Sequence, residues 1–233
     1  MEQHAPTRKN KVKQAIPPLQ VTYYTDPLCC WSWAFEPVIQ KLREGYGNSI
    51  AWRNCMGGML SQWKSYHDTL HAVSRPIQMG PVWMQARQLT GVTLNDSIWF
   101  SDPPASSYPA CVAVKCAGLQ SATAEELYLY KLRSAVMTAG KNIAKKEVLL
   151  ALAGELAAEQ PGCFNAEQFA TELAGEAAIN AFRADLQEVR YRNITRFPSL
   201  LFVTGSNKKS LLLTGSHSYE TIVSHLKQLT GNA

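Results

Sequence analysis

The residues best suited to chemistry are Cys29-Cys30-Trp31-Ser32, which stand where an apolar strand from Leu19 to Tyr24 gives way to a helix. A cysteine at a helix start lies near unsatisfied backbone N–H groups and the positive end of the helix dipole, and both favour the thiolate. Such settings bring a thiol from about 8.5 into the range of about 3.5–7.5, and the thiolate is the nucleophile. Cys29 is therefore the candidate nucleophile. The competing expectation for any free cysteine is a small buried hydrophobe. Ser32, three residues on, can donate a hydrogen bond to the thiolate and help to keep it ionised.

The elements around these residues explain their placement. Thr25-Asp26-Pro27-Leu28 ends the strand, because proline has no donor for a ladder. From Trp31 the apolar residues Trp31, Ala34, Phe35, Val38, Ile39 and Leu42 recur on one helical face. Pro37 is expected to kink that helix after about two turns. Gly45-Tyr46-Gly47-Asn48 then punctuates, and Ser49 to Cys55 alternates as a strand, so that strand, helix and strand form a right-handed parallel crossover.

The segment from Tyr24 to Pro37 resembles the DsbA-like branch of the thioredoxin superfamily. Members of that branch usually carry Cys-x-x-Cys at these four positions. Cys29 matches the attacking cysteine and Trp31 a frequent interior residue, whereas Ser32 stands where the resolving cysteine would be. A resolving thiol attacks the mixed disulfide and frees the enzyme. A serine hydroxyl cannot. Cys30 is the other thiol within reach, but neighbouring Cα atoms are about 3.8 Å apart, below the usual disulfide window of about 4.4–6.8 Å. It is either a strained redox partner or a bystander.

The resemblance implies an α/β, thioredoxin-like fold with an inserted helical domain. Residues 19–58 and 175–233 would form the thioredoxin-like part and 59–174 the insertion, behind a basic tail over 1–18. The residues agree with that outline. Helices are predicted over Tyr108 to Leu119, over Ala124 to Met137 behind a Thr123/Glu126 capping pair, over Lys146 to Ala158, after an Asn165 cap over Ala166 to Leu173, and over Glu176 to Tyr191. Ser199 to Thr204 reads as a buried central strand, turned back by Gly205 to Lys208 into Leu211-Leu212-Leu213, and a last helix carries Tyr219, Ile222, Val223, Leu226 and Leu229. The loops at Met56 to Met59 and Asp102 to Pro109 either line the cleft above Cys29 or merely connect.

Pro198 matches the position at which the resembled family holds a cis-proline beside the active cysteine. With a cis bond there, Phe197 would offer its backbone to an extended substrate, making Trp31, Phe197 and Pro198 the expected substrate-binding residues. A trans proline at the first residue of a strand is the plain alternative.

The 233 residues are 46% hydrophobic with a formal charge of +5, and Arg8, Lys9, Lys11 and Lys13 against Glu2 supply three of those charges. Four basic residues in a polar tail read as solvated, so neither nucleic acid nor a membrane is an expected partner. The tail has no apolar stretch of a signal peptide, so the expected location is the cytoplasm, where six cysteines are expected as free thiols. No Cys-x₂-Cys spacing occurs, and His67 and His71 lack the glutamate of a zincin helix, so no metal is expected.

Three functions fit this reading. In the first, Cys29 exchanges disulfides by a monothiol route with a protein or small thiol substrate, and glutathione or a protein thiol releases the product. In the second, resemblance to glutathione-dependent isomerases and transferases gives Ser32 a supporting role toward bound glutathione. In the third, the chain is an adaptor that delivers a regulatory protein to an energy-dependent protease. No resident cofactor is expected, and the oligomeric state is open.

Overall fold

A computed structural model describes residues 19–205 and 209–231, so the basic tail and the turn expected over 206–208 lie outside it. The described strands form one sheet in the order β2-β1-β3-β4. Strand β1 (Leu19–Thr25) leads into a short helix α1 (Cys30–Ala34), a longer one α2 (Glu36–Tyr46) and strand β2 (Ile50–Met56). Strands β1 and β2 pair in parallel, from Leu19 opposite Ile50 to Thr25 opposite Met56.

Helices follow: α3 (Met79–Thr90), α4 (Ile98–Ser101), α5 (Tyr108–Gly118), α6 (Ala122–Met137), α7 (Lys146–Glu159), α8 (Ala166–Glu172) and α9 (Glu176–Tyr191). The chain then returns to the sheet as β3 (Ser199–Thr204), antiparallel to both β1 and the edge strand β4 (Ser210–Thr214), and ends in α10 (Tyr219–Thr230). This is a thioredoxin-like sheet with a helical insertion between β2 and β3.

The alternation of β1 sorts its side chains by face. Leu19, Val21 and Tyr23 pack with Leu200 and Phe202 of β3 against Phe35, Ile39 and Leu42 from the α2 side and Ile222 and Leu226 from α10. On the other face Tyr24, Cys55 and Leu201 meet Val189 of α9 and Ile194. The continuous apolar run of β3 reflects its interior position, with both faces covered. A larger core lies among the helices, with Trp83, Trp99, Val114, Leu132 and Phe169 at its centre, and it reaches Leu28 and Cys30 at the end of β1.

Two local expectations need correction. The helix after Cys29 breaks after one turn, at Phe35, and Pro37 sits in the first turn of α2. Proline cannot donate to the carbonyl four residues back, so the interruption falls before it rather than after two turns. Helix α6 is capped by Ser121, whose hydroxyl accepts from Ala124 N at 3.0 Å, not by Thr123. Glu126, freed from a capping box, pairs with Arg43 of α2. The Asn165 cap is present, accepting from Gln168 N at 2.9 Å.

Charged ties lock helices to the sheet. Asp185 of α9, 2% exposed, accepts from Met56 N at 2.9 Å and Arg53 at 2.8 Å, and lies 3.4 Å from Lys115 of α5. Lys115 also donates to Asn54 O and to Glu125. Just beyond β2, Gly57 donates to Thr25 O at 2.7 Å, and a Cβ added there would meet the Phe197 ring at 2.1 Å.

Both features have measurable consequences. Asp185→Ala strands a buried lysine and a buried N–H together, so urea unfolding should show a loss of about 3–5 kcal/mol, with Asp185→Asn milder. Gly57→Ala should cost about 1–3 kcal/mol by the same assay, because the Phe197 ring must move.

Candidate functional site

Cys29 is the residue that caps α1. Its backbone N–H closes a turn onto Asp26 O at 3.1 Å, and its φ of −80° and ψ of 107° are extended, as a cap requires. The sulfur takes the place of a capping oxygen: Ser32 N donates to Sγ at 3.4 Å. On its other side the thiol donates to Phe197 O at 3.5 Å. The Phe197–Pro198 peptide is cis, which brings the start of β3 beside the helix cap.

The turn is held from beneath by a carboxylate. Asp26 is fully buried; Oδ1 accepts from Leu28 N at 2.9 Å, and Oδ2 accepts from Met59 N at 2.7 Å, Ser107 Oγ at 2.9 Å and the Cys111 thiol at 3.5 Å. Burial pushes the Asp26 acid above the usual carboxylate range, while these bonds pull it back toward ionisation. The loop from Asp102 to Pro109 therefore supports the site from behind through Ser107 instead of lining the cleft. Of the two loops weighed for that role, only Met59 reaches the cleft wall.

A second buried charge approaches from α6. Arg133, 1% exposed, pairs with Glu36 at 2.7 Å, donates to Thr25 Oγ1, and lies over the Tyr23 ring at 5.6 Å. Tyr23 in turn donates its hydroxyl to Ser32 O at 3.4 Å. A guanidinium from the helical insertion thus sits under the helix turn that bears the thiol.

These surroundings reverse one expectation. Cys29 is only 4% exposed, and burial pushes its thiol above the ordinary value. The Ser32 hydroxyl and N–H oppose that rise, as does Arg133 more weakly, whereas Asp26 adds to it. Desolvation of the charged form outweighs the helix-start effect. Ser32 Oγ is enclosed with no hydrogen-bond partner among the described residues.

Cys30 turns the other way. It packs into the helical core at 3% exposure, and burial, together with the charge of Cys29, drives its thiol well above the ordinary value. All six cysteines are free thiols. Of the expected site residues, Cys29, Trp31, Phe197 and Pro198 meet at one cleft of about 720 Å³, while Cys30 and Ser32 lie beneath it.

The segment from Tyr66 to His71 also lines the cleft and was not expected there. It forms a tight turn closed by Asp68 and Val73, which exchange backbone hydrogen bonds at 2.8 and 3.1 Å across Ala72 in a left-handed conformation. His67 and His71 were weighed only as metal ligands; His71 Nδ1 instead pairs with Asp68 Oδ2 at 2.8 Å. Among the described residues no cluster of three or more metal-ligating side chains occurs, and no helix is long and apolar enough to cross a membrane.

With this geometry in place, comparison with known proteins is informative. A thioredoxin family model matches residues 23–224. The proteins named ClpXP adapter protein SpxH from Halalkalibacterium halodurans and Bacillus subtilis are 26% and 27% identical to this chain. The first match covers 99% of this chain and 73% of the relative, the second 92% and 69%. Among solved structures, a putative protein disulfide isomerase from Nitrosomonas europaea superposes with a TM-score of 0.71 at 22% identity, over 91% of this chain and 96% of that one. The cytosolic disulfide reductase DsbM from Pseudomonas aeruginosa gives 0.66 at 21%, over 90% and 99%. Identities this low establish shared architecture. The chain belongs to the thioredoxin family and has the fold of its DsbA-like members.

Proposed function

We propose that this protein is a monothiol exchange protein with Cys29 as its reacting group. The observation that carries the reading is the position of Cys29 Sγ: it lines the cleft, between the Ser32 N–H and the Phe197 carbonyl, while Cys30 is turned into the core. The Cys29 thiolate attacks one sulfur of a disulfide R–S–S–R′, the bond Cys29–S–S–R forms, and R′–S⁻ leaves and takes up a proton. With no second thiol placed to resolve it, an external thiol of the cytoplasmic pool, such as glutathione, attacks the R sulfur as its thiolate, forms a new disulfide with R, and Cys29 leaves as the thiolate. The external thiol is a co-substrate, not a resident cofactor. Trp31, Phe197 and Pro198 form the binding wall, with Ser32 supporting the thiolate. Residues 19–58 and 175–233 make up the exchange unit, and 59–174 the helical insertion behind it.

A second reading is favoured by the buried, proton-holding state of Cys29 together with the adaptor names of the sequence relatives. Here the same cleft and fold serve to hold a protein without turnover.

The raised thiol sets the sign of the pH dependence. Below its pKa a thiol loses its thiolate about tenfold per pH unit, so Cys29 alkylation, read by peptide mass spectrometry, should be slow at pH 7, rise about tenfold per unit, and reach its midpoint only above about 8.5. Ser32→Ala removes a group that favours the thiolate and should slow the neutral-pH reaction several-fold. A midpoint well below 8.5 would contradict the burial argument.

Cys29→Ala should abolish the mixed disulfide that glutathione disulfide forms in the cleft, mapped by peptide mass spectrometry so that an adduct on the exposed Cys163 is counted apart, and full retention of exchange in a Cys29→Ala, Cys163→Ser variant would remove the leading reading. The adaptor reading instead expects the chain to speed degradation of a protein by purified ClpXP, equally well as Cys29→Ala. No change in any degradation rate would remove it.

A further inference from the structure

We propose that Arg196 makes the Cys29 cleft selective for disulfides that carry a carboxylate. The inference deepens the exchange reading above and rests on it. The cleft, at about 720 Å³, is far larger than a disulfide group and takes a ligand of tripeptide size or a segment of a peptide. Its wall therefore reads more of the substrate than the sulfur.

Arg196 lines this cleft and is the chain neighbour of Phe197, whose carbonyl accepts the Cys29 thiol. Its guanidinium is thus carried by the residue next to the one that touches the reacting atom. Arg43 is held by Glu126, Arg53 by Asp185, Arg87 by Asp96, Arg133 by Glu36 and Arg192 by Glu188, and the arginines without an ion pair among the described residues, Arg75, Arg183 and Arg190, do not line the cleft. Among the described residues the Arg196 side chain enters no ion pair, and its one hydrogen bond is accepted by its backbone carbonyl from Ser199.

The acid in the same wall, Asp68, is already satisfied. Oδ1 accepts from Leu70 N at 2.9 Å and His71 N at 3.3 Å, and Oδ2 is paired with His71 at 2.8 Å. The unsatisfied charge of the wall is consequently a planar cation, whose paired N–H groups match a carboxylate. Trp31, Met59 and Phe197 supply apolar contact beside it. The ligand that answers all three features is a cysteine disulfide flanked by a carboxylate, found either in a small acidic thiol of the glutathione class or in an acidic peptide segment.

The test uses two reagents from which the same thiolate displaces iodide and which differ in charge, iodoacetate and iodoacetamide. Labelling at Cys29 is quantified by peptide mass spectrometry on the full chain. The iodoacetate-to-iodoacetamide rate ratio cancels any change in thiolate fraction, and recovery in Arg196→Lys separates a charge effect from a folding defect. The ratio should fall roughly three- to tenfold in Arg196→Gln, the scale of one near-surface charge, and recover in Arg196→Lys. In a second arm, mixed-disulfide formation with glutathione disulfide relative to cystamine should fall in the same variant. A Glu-bearing against a Gln-bearing cysteine peptide disulfide then tells a peptide source from a small thiol. An unchanged ratio with normal adducts overturns this inference alone. Absence of any disulfide adduct at an alkylatable Cys29 overturns the exchange reading and the inference with it.

Discussion

The buried carboxylate of Asp26 is the constraint on which the site depends. A charge enclosed in a protein costs several kcal/mol unless its oxygens are satisfied, and here four donors converge on it from three separate stretches of chain. Leu28 N belongs to the turn that carries Cys29, Met59 N to the loop leaving β2, and Ser107 and Cys111 to the start of α5. Satisfying one side chain therefore fixes the end of β1, the exit from β2 and the first helix turn behind the cleft relative to one another. The helix start at Cys29 is placed by that knot, through the 3.1 Å bond from its N–H to Asp26 O.

The helical insertion is coupled to the sheet by charge as well as by packing. Arg133 of α6 reaches Glu36 and Thr25, and Lys115 of α5 reaches Asp185, the buried acid that also collects Met56 N and Arg53. Such enclosed pairs add little net stability over apolar packing, but each is expensive to break, and so they specify one arrangement of helices over the strands. The arrangement brings a guanidinium beneath the thiol-bearing turn, where the sheet alone supplies none.

Two opposing effects meet at Cys29. Helix-start N–H groups, the Ser32 hydroxyl and Arg133 favour the thiolate, while enclosure and Asp26 favour the thiol. The protonated form prevails because desolvation acts on the whole charge, whereas each donor contributes a partial one. The proposed chemistry thus depends on what the wall recognises, and the wall combines an apolar face with Arg196, which enters no ion pair among the described residues.

Much of this was legible in the sequence. The strand before Cys29, the Asp-Pro turn, the helical face from Trp31 to Leu42 and the buried run of β3 all follow from local periodicity and proline geometry, so the thioredoxin-like order of elements could be read residue by residue. Helix α9 matches its expected span from Glu176 to Tyr191, whereas the break at Phe35 and the Ser121 cap differ by a few residues, because end positions depend on single hydrogen bonds. Tertiary structure alone decided the rest. That Cys30 turns into the core, that Asp26 is the central tie, that Arg133 lies under the thiol and that residues 66–71 wall the cleft all involve partners tens of residues away. The direction of the Cys29 shift belongs with them: a sequence reports which groups are nearby along the chain, but desolvation is set by everything that folds over the sulfur.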